Sequence, residues 1–324
     1  MHRPPLKQSV YKPDRRAASR LGLWACVMVA CLVGPPAHAA VSAVDDMGRT
    51  VTLDAPARRI VSLAPSVAEL LFAAGAGKRV VGTVRYTDYP PAARHIPRVG
   101  DATRIDMERI LTLNPDLVVA WHSSLPAQTL KRLTDLGLTV YITEPRALAM
   151  IAADIKKLGR LAGSAHDAET AAAQFTARLQ GLRRRYSHQS PVRVFFQTWD
   201  RPVMTVNGAH FISHLLRLCG GRNVFADLGP LSASVSAETV LAADPQAIMA
   251  GVKGGDHRDV FARWRRWSGI TAVRLGNLFT LPDDLINRPG PRIVQAADRM
   301  CRDLAAARRR IDMAGVPVHH SPPR

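Results

Sequence analysis

His210 and His214 stand four residues apart, a spacing that sets two imidazoles on one helix face and suits a zinc ion. No third ligand is visible beside them, and histidine on a helix face is common, so the pair predicts no metal centre. The chain holds no G-x-S-x-G, G-x-x-x-x-G-K-[ST] or G-x-G-x-x-G run and no Cys/His cluster. No constellation requires catalysis, and the expectation is a protein that is not an enzyme and carries no cofactor. The chemistry that remains is recognition. Tyr86 follows the apolar run "RVVGTV", Trp121 ends "PDLVVAW" and Trp199 ends "VRVFFQTW". In open α/β sheets ligands collect beyond the carboxyl ends of strands, where such rings would wall a cleft. Tyr86 suits a Pro-rich turn equally well, with Tyr89 packed beneath it. The run "PDDLINRPGPRI" offers Asp284, Leu285, Ile286, Asn287 and Arg288 in a polar loop able to reach a ligand. Otherwise its prolines start a helix and its acids are solvated.

Two carboxylates recur in a repeated frame. "ERILTLNPDLVVA" begins at Glu108 and "ETVLAADPQAIMA" at Glu238, each with Glu first, Leu fourth, Pro eighth and an apolar run ending in Ala. Acid in a helix's first turn is favoured locally by about 0.3–1 kcal/mol, which would account for both without any shared purpose.

The elements that must position these residues alternate in period. "RIVSLAP" is a short buried strand, and Ser66 with Glu69 matches a capping box before "VAELLFAAG". Strand–helix–strand order with near-continuous apolar strands predicts α/β architecture built on parallel sheets. Between Ala165 and Tyr186 the apolar residues Ala168, Ala172, Phe175, Leu179, Leu182 and Tyr186 form one helical stripe, about 33 Å long. The expected organisation is a leader over 1–39, an α/β lobe over 40–163, a linking helix over 164–188, a second α/β lobe over 189–311 and a disordered tail over 312–324.

The leader reads as a secretory signal peptide: six bases against one acid, the apolar run "LGLWACVMVACLVG", then "AHA" for cleavage after Ala39. Lipidation at Cys31 is the rival reading. Removing those residues takes the charge from +18 to near +13. The bases are scattered, so the surface suits solvation or anionic ligands better than nucleic acid. Of the four cysteines Cys26 and Cys31 leave with the leader, and Cys219 with Cys301 points to one disulfide in an oxidising compartment, against two free thiols.

The pieces "RIVSLAPSVAELLFAAG", "YTDYPPAA", "MERILTLNPDLVVAW", "LCGGRNVF", "SAETVLAADPQAI" and "RPGPRI" occur in one order. In them the chain resembles the substrate-binding proteins of ABC importers for cobalamin, haem and ferric siderophores, the periplasmic cobalamin-binding proteins first. The resemblance implies two α/β lobes joined by one long rigid helix, with cobalamin, or else haem or a ferric siderophore, held between them as transported ligand. It implies a soluble periplasmic monomer delivering to an ABC permease dimer. It gives Tyr86, Trp121 and Asp284–Arg288 to the ligand, Cys219–Cys301 to a disulfide, and Glu108 and Glu238 to permease arginines. Ala102 and Ser232 stand where cobalamin-binding members carry further tryptophans, a departure that thins the contacts to a corrin. A glycosyltransferase-like enzyme would also have two lobes around a cleft, but the leader and the missing nucleotide-phosphate loop argue against it.

Overall fold

Short apolar runs form two sheets, each parallel because a helix or loop crossing separates consecutive strands. The computed structural model describes residues 39–101, 104–254 and 259–316 and the isolated His2. The expected signal peptide before Ala39, Cys31, Ala102 and the tail from residue 317 lie outside the described residues. A hairpin of β1 (Val41–Val44) and β2 (Thr50–Leu53) opens the fold. The first sheet holds β3 (Ile60–Ser62), β4 (Val80–Gly82), β5 (Leu117–Trp121) and β6 (Val140–Thr143), in the order β4-β3-β5-β6. The linking helix runs Ala165–Tyr186. Beyond it β7 (Val192–Gln197), β9 (Gly221–Asn223), β11 (Ala247–Val252) and β12 (Leu278–Pro282) pair as β9-β7-β11-β12, while β8 (Met204–Val206) and β10 (Ser232–Ser234) make a separate antiparallel pair. Both four-stranded sheets therefore run second–first–third–fourth in chain order, the same fold twice.

The repeated sequence frame occupies the same place in each copy. The helix Met107–Thr112 leads into β5 and the helix Ala237–Ala243 into β11, the third strand of each sheet. Each is capped by a side chain: Asp106 accepts from the Arg109 N–H at 3.0 Å and Ser236 from the Thr239 N–H at 3.2 Å. Each also gives way to a left-handed residue just before the proline, Asn114 at φ 42° and Asp244 at φ 35°. Asn and Asp tolerate that conformation better than other side chains, which explains the residue preceding each proline.

One apolar core passes through both lobes. The linking helix buries Ala168, Ala172, Phe175, Leu179 and Tyr186, the expected stripe, with Leu182 partly covered, and these share a continuous cluster with β3, β5, β7 and β11. Sliding one lobe against the other would expose that cluster, so the helix acts as a rigid spine. Cys219 and Cys301 are bonded, tying the helix Phe211–Leu218 to the last helix, Ile293–Met313.

Two local expectations need correction. Ser66 and Glu69 form no capping box: the helix Pro65–Ala73 starts on Pro65 with Ala64 as an unassisted cap, and both polar residues are buried. The carboxylate of Glu69 reaches the second lobe instead. The last helix continues to Met313, past the expected start of the tail, because Ile311 is buried and Val316 packs on the core.

Candidate functional site

The carboxyl ends of the first sheet open on a cavity of about 370 Å³ between the lobes. The turn after β3 supplies Leu63, Ala64, Pro65 and Ser66, the segment after β4 supplies Val84, Arg85 and Tyr86, and β5 ends on it with Trp121. Arg288 lines it from the second lobe. Its walls are mostly apolar with a few polar groups, the composition of small-molecule sites. Tyr86 is 62% exposed and adopts φ 65°, a left-handed conformation that costs a bulky residue roughly 1–3 kcal/mol. Its carbonyl accepts from Arg288 Nη2 at 3.2 Å, and Lys253 Nζ of the second lobe sits 5.3 Å from its ring centre. In this conformation Tyr86 lines the cleft, with its ring under a cation of the second lobe.

Beyond Trp121 lies a second, smaller cavity of about 170 Å³. Ser123, Glu144, Pro145 and Arg146 line it from the first lobe, and His210, Phe211, Leu231 and Ser232 from the second. Trp121 borders both cavities.

An ion-pair strap ties the lobes beside the larger cavity. Arg292 Nη2 and Nε donate to Glu69 Oε1 and Oε2 at 2.7 and 2.9 Å, and Arg292 Nη1 reaches Asp284 at 2.8 Å. Arg288 Nη1 lies 2.9 Å from Asp88 and 3.6 Å from Glu69. Burial works against the charge on Arg292, and its hydrogen bonds to Glu69 and Asp284 outweigh it, holding its pKa above the ordinary value. Burial likewise pushes the Glu69 carboxyl up, with Arg292 and Arg288 pulling against it. For the more exposed Asp88, burial is the largest influence, yet the hydrogen bond and charge of Arg288 prevail and hold its carboxyl below the usual range.

The structure thus brings Tyr86, Trp121 and Arg288 together and separates the rest of the expected set. Asp283–Ile286 is a single helical turn rather than an open loop. Ile286 is fully buried, Leu285 packs on the core, Asn287 donates to Asp283 at 2.5 Å and Asp284 is taken by Arg292. Apolar side chains in that turn go inward because the core lies directly beneath it. Trp199 lines neither of the two cavities: β7 ends at Gln197, and Trp199 follows it, bridged to Met204 and 63% exposed, its indole N–H donating to the Arg201 carbonyl. Tyr89 is not packed beneath its turn but 41% exposed, with Arg292 stacked 4.2 Å from its ring centre. Glu108 and Glu238 are both exposed in the first turns of their helices. His210 serves as a helix cap, its Nδ1 accepting from the Ile212 N–H at 3.2 Å. Among the described residues no cluster of three or more His, Cys, Asp or Glu is placed to hold a metal. Glu144 and the strap residue Arg292 carry no signal in the local sequence, since their partners come from distant segments.

The family model described as periplasmic binding protein matches residues 60–285. The vitamin B12-binding protein of Vibrio cholerae is 37% identical over 255 residues, covering 78% of this chain and 91% of the relative. That of Yersinia pestis is 35% identical over 250 residues, covering 77% and 87%. The crystal structure of the periplasmic vitamin B12-binding protein of Vibrio cholerae superposes with a TM-score of 0.72 over 78% of this chain and 98% of that one, at 37% identity. The periplasmic haem-binding protein of Roseiflexus sp. RS-1 superposes at 0.67 with 27% identity, over 77% and 98%.

Proposed function

The chain belongs to the periplasmic binding protein family, and from that premise we propose that it captures cobalamin between its lobes and delivers it to an ABC importer. It is a binding component of transport and not an enzyme. The observation that carries the reading is the meeting of Tyr86, Trp121 and Arg288 around one cavity. The corrin lies against the two rings, which supply apolar area and a hydroxyl, while Arg288 closes the opposite side. The common core and the ion-pair strap keep the lobes at a fixed spacing, so capture needs little closure.

The protein acts in the periplasm after cleavage behind Ala39, and β1 begins two residues later, at Val41. No helix among the described residues is long and apolar enough to cross a membrane. Glu108 and Glu238 dock on arginines of a two-fold permease: a symmetric dimer presents one patch twice, and a duplicated fold answers it with two equivalent carboxylates. Haem is the competing ligand, favoured by Ser232, a small residue facing the smaller cavity where an aromatic would add stacking area to a corrin.

Titration calorimetry of the mature protein with cyanocobalamin, haem and a ferric hydroxamate tests the reading. Cobalamin binding with a micromolar or tighter Kd, at least about tenfold tighter than the others, is expected. Tighter binding of haem or the hydroxamate would replace cobalamin as the ligand.

A further inference from the structure

The smaller cavity beyond Trp121 is built differently from the larger one, and its polar groups are fixed in role. His210 Nδ1 accepts the Ile212 N–H at the start of the helix Phe211–Leu218, so the neutral ring must carry its proton on Nε2. Burial, with the charge of His214 behind it, pushes the His210 pKa down to about 4, which keeps the ring neutral around pH 7. No other described residue accepts from that Nε2–H. Across the cavity Glu144 is held by Ser123, whose N–H and hydroxyl donate to its two oxygens at 2.9 and 2.7 Å. A carboxylate has about four acceptor positions, so two are left unused by Ser123. Ser232 has its hydroxyl on the Thr205 carbonyl, 3.2 Å away. Arg146 is exposed at the edge, where water screens it, while Glu144 is buried. The buried charge of the cavity is negative.

A neutral donor on the second lobe and a buried anionic acceptor on the first, both lining one space of about 170 Å³, match a small group that both accepts and donates. We infer that this cavity is an annex of the ligand site that selects a peripheral carboxamide, its oxygen accepting from His210 Nε2 and its N–H donating to Glu144. A carboxylate at that place would meet Glu144 as a like charge and leave its acceptors without a donor, the kind of mismatch that discriminates strongly between ligands. The inference rests on the cobalamin reading and deepens it, since a corrin bears carboxamides around its rim where a haem bears carboxylates.

Calorimetry with cyanocobalamin and with its separated monocarboxylic acids, each having one ring carboxamide hydrolysed, reads the annex directly. For at least one of these acids the mature wild type binds about tenfold or more weakly than cyanocobalamin. Glu144→Gln, which removes the charge and keeps the shape, brings that ratio to within about threefold. His210→Asn retains a capping side chain, but its shorter amide cannot place a donor where Nε2 stands, and cyanocobalamin affinity falls on the order of tenfold. If both variants keep the wild-type affinity and the wild-type amide-to-acid ratios, the annex is refuted while the cobalamin reading stands. If the wild type binds no corrinoid, both are refuted together.

Discussion

Replacing Arg292 by Met should destabilise the protein more than any other single change in the interlobe strap. The Glu69 side chain is 2% exposed, and after the change its remaining cation is Arg288, 3.6 Å away and shared with Asp88. Removing one partner of a buried pair typically costs about 3–5 kcal/mol, because the other charge is left desolvated. Glu69→Gln should cost less, roughly 1–2 kcal/mol, since Arg292 keeps Asp284 at 2.8 Å and that carboxylate is 43% exposed. Replacing both Glu69 and Arg292 by Met removes the buried pair and leaves Arg288 to Asp88, and the double variant should be more stable than Arg292→Met alone. Urea unfolding followed by tryptophan fluorescence measures all three. With a slope near 3 kcal/mol per molar, Arg292→Met should lower the midpoint by roughly 1–1.7 M. A drop under about 0.3 M, or a double variant less stable than Arg292→Met, would refute the reasoning that the strap is a buried, mutually dependent pair.

Other consequences are independent of the strap. Reducing the Cys219–Cys301 bond opens a loop with a sequence separation of 82 and should cost about 4–5 kcal/mol in the chain-entropy model; an unchanged melting temperature under reductant would contradict it. The depressed pKa of His210 means that the unfolded chain binds a proton between about pH 6.5 and 4 that the folded chain refuses. Its contribution to stability is therefore present above pH 6.5 and lost as pH falls through that window, by about 2–3 kcal/mol, and His210→Asn should flatten this part of the profile. An identical pH profile in the variant would remove His210 as the cause. Changing Glu108 and Glu238 together to Ala should leave urea stability and cobalamin affinity near wild type and abolish uptake in vesicles holding the permease; normal uptake would reduce the repeat to a relic of duplication.

What the sequence made legible was local. The linking helix shows as a stripe from Ala168 to Tyr186 because one face of a regular helix meets one core. The duplicated helix–Pro–strand frame shows because capping, a left-handed stop and an apolar strand each leave a mark within a few residues. Tyr86 and Trp121 could be placed because strand ends in a parallel sheet point one way. Long-range pairing left no such mark. Ser66 and Glu69 have the spacing of a capping box, yet Glu69 bonds to a residue 223 positions away. The sequence offers Asp284–Arg288 as one ligand-facing loop, but Asp283–Ile286 is a helical turn over a core and must send some side chains inward, and Leu285 and Ile286 are those. The spacing of His210 and His214 shows two imidazoles on one helix side but not their partners, and the His210 ring is committed to a backbone N–H two residues on.

If cobalamin is held against the aromatic wall of the cleft, its affinity must follow a set pattern across three variants of the mature protein. Truncating a buried aromatic anchor costs on the order of 2 kcal/mol, which is more than tenfold in Kd. Tyr86→Ala and Trp121→Ala should each lose at least that much, while Trp199→Ala, exposed and lining neither cavity, should bind as wild type does. Wild-type affinity in both Tyr86→Ala and Trp121→Ala, or a loss confined to Trp199→Ala, would place the ligand elsewhere and contradict the account.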